Sequence, residues 1–223
     1  MSSSYPEQRA QLVRAAHMLF QAEVMSHSGH GNMSMRLPEP GRMLLTAGGH
    51  IRDLKAEELA VVSFDGEAIE GEIPPVVREI VGMHAGVLRE REDVGAVIHT
   101  HSPRVTAFAV ANQPLPVIYE AFLRFGITED LPVAAWAPRG SPESVGNIVE
   151  QLRSHPGIPA VLLGNHGLLA FSRDPMATAQ LIIIMEEAAQ LFLDAQPLGG
   201  AQPFPDGALE REREHMRRFG STR

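Results

Sequence analysis

The chain has 223 residues, a formal net charge of −8, 44 % hydrophobic and 21 % charged residues, and no cysteine. That length and balance suit one soluble globular domain with a substantial core, and the negative charge speaks against nucleic acid or an anionic membrane as partner. Without thiolates, any bound metal must rest on nitrogen and oxygen donors; no apolar run reaches about 18 residues and no secretion-type leader opens the chain, so a cytoplasmic protein without a membrane span is expected.

Residues 6–27 are expected as the first helix, because Leu12, Val13, Ala16, Leu19, Phe20 and Val24 recur at helical spacing and Pro6 suits a first turn. A glycine-punctuated loop, His27 to Asn32, follows and runs into a short strand ending near Arg36. Its glycines let the backbone approach a ligand and offer N–H groups to an anion. Met43–Thr46 is read as a strand closed by a second glycine turn, Ala47-Gly48-Gly49-His50. Lys55–Leu59 is a helical turn, and Ala60–Phe64 is a strand closed by the hairpin signal Asp65-Gly66.

After the Pro74-Pro75 break, apolar spacing predicts a helix over about 77–90 that carries Arg78, Glu79 and His84. It feeds Ala96-Val97-Ile98-His99-Thr100-His101, an apolar run with two histidines spaced i, i+2. Residues two apart on a strand share a face, so these imidazoles stand side by side and could share one ion. Ser102-Pro103 opens a helix to about Val110, and Leu115–Ile118 reads as a short strand leading to Tyr119-Glu120. Ser141-Pro142 and Asp174-Pro175 each pair an N-cap with proline at N1, starting helices to about Leu152 and Ala195. Between them, Ala160–Leu163 and Leu168–Phe171 make a hairpin with Gly164-Asn165-His166-Gly167 at its tip. The second helix is apolar enough at Leu181–Met185 to be buried on most sides. The segment 197–223 loosens at Pro197–Gly200 and ends in a charged helix, expected to pack at a subunit interface.

Interleaved helices and hairpins predict a single-domain α/β/α sandwich, residues 1–223, around a mainly antiparallel sheet. Two histidines from a strand end and one from a tight turn, His99, His101 and His166, match the three-ligand pattern of catalytic zinc sites.

The Gly31-Asn32-x-Ser34-x-Arg36 loop, the Asp93–Val97 run into His99-x-His101, and Asn165-His166-Gly167 resemble, in order and spacing, the class II aldolase/adducin family. The resemblance spans about residues 8–195. It implies a nine-stranded antiparallel sheet, one divalent ion on His99, His101 and His166, and a homotetramer with sites between subunits. Zinc is the first choice of metal; manganese, iron and cobalt accept the same ligands. The family's phosphate loop is kept at Gly31-Asn32 but gains His30, a departure that leans toward a carboxylated substrate and decarboxylation; His30, Gly31, Asn32 and Gly48 are expected to contact the substrate. Sugar-phosphate members carry a serine pair and then a glutamate base four residues before the histidine equivalent to His84. Counting back from His84 puts Arg78-Glu79 over the serine pair and Ile80 over the glutamate, and a one-residue shift brings Glu79 into the base position. Their catalytic tyrosine falls near Tyr119 or Glu120.

The resulting expectation is a metal-dependent lyase that cleaves a small hydroxy-carbonyl compound, carboxylated or not, by retro-aldol chemistry. Glu79 is the first candidate for acid/base, Glu120 and Tyr119 come next, and Arg78 would clamp a carboxylate. The alternatives are a decarboxylase of an aromatic or keto acid, and a non-catalytic adducin-like binding module.

Overall fold

The computed structural model describes residues 4–219. Among these, eight strands form one sheet: β1 (Gly31–Arg36), β2 (Arg42–Thr46), β3 (Leu59–Ser63), β4 (Ala68–Glu70), β5 (Ala96–Thr100), β6 (Val133–Ala134), β7 (Ala160–Leu163) and β8 (Gly167–Ser172). Their spatial order is β4-β3-β2-β1-β5-β8-β7-β6, antiparallel throughout except for the β6–β7 pair. Helices α2 (Pro75–Glu90) and α5 (Pro142–Ser154) pack together over one face, and α1 (Pro6–Gln21), α3 (Pro103–Ala111) and α6 (Pro175–Asp194) pack together over the other. The short α4 (Glu120–Arg124) and the terminal α7 (Ala208–Phe219) complete the fold.

The expected sandwich is present, with eight strands rather than about nine. Leu115–Ile118, expected as a strand, makes only one bridge, between Leu115 and Leu131. Pro114 and Pro116 flank Leu115 and have no N–H to extend a ladder. The first helix ends at Gln21 rather than near 27 because Glu23 turns left-handed at φ 57° and tucks buried Val24 and Met25 under the helix. The Asp65-Gly66 signal does join β3 to β4, with Gly66 at φ 90°.

Helix α6, at 20 residues, is long and apolar enough by composition to cross a membrane. It is nonetheless a core helix: half of its apolar window is buried in the fold, and it packs on β5, β8, α1 and α3. The tail helix α7 is held by its own chain, since the Arg213 guanidinium donates to Thr128 Oγ1 at 2.9 Å and to the Thr128 carbonyl at 3.0 Å.

Strand β5 lies at the centre of the sheet. Its register sets Asn32 of β1 opposite His99 on one side and Leu169 of β8 opposite it on the other. Asn32, Ser34, Val97 and His99 therefore share the face covered by α2 and α5.

Candidate metal centre and active site

His99 is 3 % exposed, and its Nδ1 lies 2.9 Å from the Leu168 carbonyl. A carbonyl only accepts, so Nδ1 carries the proton and Nε2 keeps a lone pair. That lone pair faces His101 Nε2 at 3.1 Å. His101 stands one residue beyond the strand end, where Ser102-Pro103 opens α3. The start of α3 is capped from another helix: the buried Glu186 carboxylate of α6 accepts from the Arg104 and Val105 N–H groups at 2.9–3.1 Å.

His166 comes from the turn between β7 and β8. Asn165 adopts the left-handed conformation (φ 55°) that asparagine tolerates, and its N–H donates to the Ala109 carbonyl at 2.9 Å, which pins the turn to α3. The three rings gather with centroids 4.7–5.1 Å apart, and their ligand nitrogens all lie within 4.8 Å of one another.

Burial holds all three imidazoles neutral at pH 7. His166 is lowered to about 4, and His101 and His99 are also lowered, His99 furthest; repulsion from neighbouring histidines, and from Arg139 for His101 and His166, adds to burial. Neutral rings are the state in which histidine binds metal, and the fixed His99 tautomer presents its Nε2 lone pair to the cluster. The donor set therefore fits one divalent ion with nitrogen ligands.

A second layer supports the first. His84 on α2 is fully buried, and burial lowers it to about 3, so it is neutral. Its Nε2 donates to Asn32 Oδ1 at 2.6 Å, and its Nδ1 accepts from the Ser34 hydroxyl at 2.7 Å. This relay fixes the Asn32 amide beside His99.

Gly167 sets the spacing of the cluster. A Cβ there would lie 2.6 Å from the Thr100 carbonyl oxygen and 2.9 Å from His101 Cδ2. The Gly167→Ala chain should therefore lose about 1–3 kcal/mol of stability through overpacking and about 10–100-fold in metal affinity, read by thermal melting and metal titration. Gly146→Ala, in open space within α5, is the control and should be neutral or stabilising. Wild-type metal affinity in the Gly167→Ala chain would remove Gly167 from this role.

The histidines line a cavity of about 350 Å³ between β1, β5 and the α2/α5 layer. His30, Gly31 and Asn32 line it too, as does Glu79 near its mouth, whereas Gly48 does not; the neighbouring Gly49 does. Arg78 is exposed and outside the cavity wall. Tyr119 and Glu120 also lie outside the wall; Tyr119 precedes α4, and Glu120 pairs with Arg124 at 3.0 Å within that helix.

The arginine that the cavity does contain is Arg139. It pairs with Glu79 at 3.3 Å and donates to the Val76 carbonyl at 3.2 Å. Trp136, 62 % exposed, stands in the same wall. Sequence reasoning singled out neither, because both sit in an irregular segment, Ala135 to Gly140, with no periodicity. The one local signal was Gly140: it is left-handed (φ +76°), and a Cβ on it would come within 2.9 Å of Glu79 Cβ.

The Aldolase_II family model, class II aldolase and adducin N-terminal domain, matches residues 10–193. A 5-methylthioribulose-1-phosphate/5-deoxyribulose-1-phosphate aldolase of Rhodospirillum rubrum is 27 % identical over 86 % of this chain and 83 % of its own. A 3,4-dihydroxyphthalate decarboxylase of Arthrobacter keyseri is 29 % identical over 83 % and 80 %. Among solved structures, an L-fuculose 1-phosphate aldolase superposes with a TM-score of 0.82 at 26 % identity, over 97 % of this chain and 98 % of that one. These relatives are carbon–carbon lyases by name. With the matched region running from α1 to the end of α6 and enclosing all three histidines, the chain belongs to the class II aldolase and adducin N-terminal domain family.

Proposed function

We propose that this protein is a divalent-metal-dependent lyase that cleaves a carbon–carbon bond of a small hydroxy-carbonyl compound in the retro-aldol direction. The observation that carries the reading is the convergence of three neutral imidazoles at the wall of one cavity. His99, His101 and His166 would hold one ion per chain, with zinc as first choice for an all-nitrogen set. When bound, that ion supplies Lewis-acid stabilisation of negative charge on substrate oxygens as the bond breaks.

The chain's own groups do the rest. Asn32, fixed by His84, would orient the substrate, with Gly31 allowing close approach and His30 standing at the rim. Glu79 would move the proton, since it is the carboxylate in the cavity wall. The apolar side of the cavity, Ile80, Met83, Val145 and Ile148, excludes water from the reacting atoms.

A second reading is decarboxylation of an aromatic acid. The Arthrobacter relative and the exposed Trp136 in the cavity wall favour it. Both reactions leave electron density on carbon beside an oxygen that needs charge stabilisation, so the same residues serve either.

We further place the protein in the cytoplasm as a homotetramer with sites between subunits. The exposed Leu191, Leu193 and Leu198 near the end of α6 support an apolar contact there. In one set of measurements, the purified protein should sediment as four 24.3 kDa chains, hold about one divalent ion per chain, and lose turnover on chelation and regain it with zinc. Full turnover in a metal-free monomer would overturn the proposal; release of CO₂ rather than a carbonyl fragment from the substrates screened would select the second reading.

A further inference from the structure

Besides the histidines, the cavity wall carries one guanidinium, one carboxylate and one indole: Arg139, Glu79 and Trp136. Two features of the glycine loop that borders the cavity bear on what anion can bind. The Gly29 N–H donates to the Ser26 carbonyl at 2.9 Å, and the Gly31 N–H donates to the Gly49 carbonyl at 3.1 Å. The glycine loop thus satisfies these two donors internally, where the sequence suggested an open nest for an anion. Glu79 adds a negative charge to the same wall and opposes a dianion more than a monoanion.

Arg139 has the opposite character. Its Nε faces Glu79 at 3.3 Å and one Nη faces the Val76 carbonyl at 3.2 Å, while Nη1 has no hydrogen-bonding partner among the described residues. The Glu79 pair is half exposed on both sides, 52 % and 49 %, so it holds the guanidinium only weakly. Beside it, the exposed Trp136 offers an aromatic face at the cavity mouth.

We propose that Arg139 is the specificity-determining residue of this site, and that it selects a planar carboxylated substrate whose ring stacks on Trp136. The proposal rests on the reading that the histidines hold the metal, and it deepens the second, decarboxylase reading of that site. A carboxylate on the substrate takes the fork of Arg139 in place of Glu79, which frees Glu79 to face the reacting atoms. A planar monoanion matches the guanidinium geometry. Arg78, on the outer surface of α2, has no part in it.

The chain contains a single tryptophan, so Trp136 fluorescence reports ligand entry directly. The test titrates zinc-loaded protein with 2,3-dihydroxybenzoate, catechol and dihydroxyacetone phosphate, with calorimetry as the second readout. 2,3-Dihydroxybenzoate should bind at least about tenfold more tightly than either of the others. Arg139→Lys keeps the charge but loses the fork, and should weaken 2,3-dihydroxybenzoate about tenfold while leaving catechol and zinc content unchanged. Arg139→Gln should do the same or more, and Arg78→Lys should match wild type. Tighter binding of dihydroxyacetone phosphate, or 2,3-dihydroxybenzoate binding indifferent to both Arg139 variants, overturns the proposal. Either result in a zinc-loaded protein leaves the lyase reading standing, whereas a wild-type protein that takes up no divalent ion sinks that reading first.

Discussion

A His99→Ala chain is expected to fold, to hold no divalent ion after dialysis, and to lose turnover by about 10³-fold or more. The size follows from the stabilisation such an ion gives to developing charge, several kcal/mol, at about 1.4 kcal/mol per tenfold in rate. His99 is the decisive position among the three because it is the most buried, and because its Nδ1–H bond to the Leu168 carbonyl fixes which nitrogen faces the cluster. His101 and His166 are partly exposed and approach from segments just outside the sheet. Removing the ring also leaves the Leu168 carbonyl without its partner, a cost of about 1–3 kcal/mol that a thermal melt should register. Metal analysis of His99→Ala, His101→Ala and His166→Ala, each beside its circular dichroism spectrum, checks the assignment. Full metal retention by all three would contradict it.

The parts of this centre that were legible in the sequence are those set by short-range rules. Alternation with period two puts Val97 and His99 on one face whatever the rest of the fold, and the apolar runs on either side of Gly164–Gly167 mark a hairpin. The proline-at-N1 starts of α3, α5 and α6 were legible for the same reason, since each is written in two adjacent residues.

What escaped depends on contacts between distant segments. His84 lies 50 residues from Ser34 and 52 from Asn32, and nothing local says that its ring bridges them. The choice between Arg78 and Arg139 likewise turns on which way α2 faces. Helical spacing buries Val77, Ile80 and Val81, so Arg78 faces solvent while Glu79 reaches the cavity mouth. Arg139 arrives from a loop held by distant contacts, Gly140 packing against Glu79, Asn147 donating to the Ala135 carbonyl and Arg139 donating to the Val76 carbonyl. The capping of α3 by Glu186 is of the same kind, because a buried carboxylate in an apolar helix gives no hint of its partner 81 residues away.

The same geometry bears on the proton. With Ile80 apolar and buried, the adjacent Glu79 is the carboxylate that lines the cavity, and Gly140 packed over its Cβ fixes its backbone. Glu79→Gln keeps the shape and an acceptor for Arg139 but cannot take up or release a proton near neutral pH. Metal content should be unchanged and turnover should fall about 10²–10⁴-fold, the usual contribution of a positioned acid or base. Glu120 offers the contrast: its carboxylate is 68 % exposed, paired with Arg124 one turn on, and outside the cavity. Glu120→Gln should run near the wild-type rate, as an exposed pair of this type contributes at most about 0.5 kcal/mol. Steady-state rates of the two variants at matched zinc occupancy separate the roles. If Glu79→Gln runs at the wild-type rate and Glu120→Gln is inactive, the proton is handled by Glu120. Because Glu120 is outside its own chain's cavity, it would then have to act on the site of a neighbouring chain in the proposed oligomer, and the variant's defect should be rescued on mixing with His99→Ala chains.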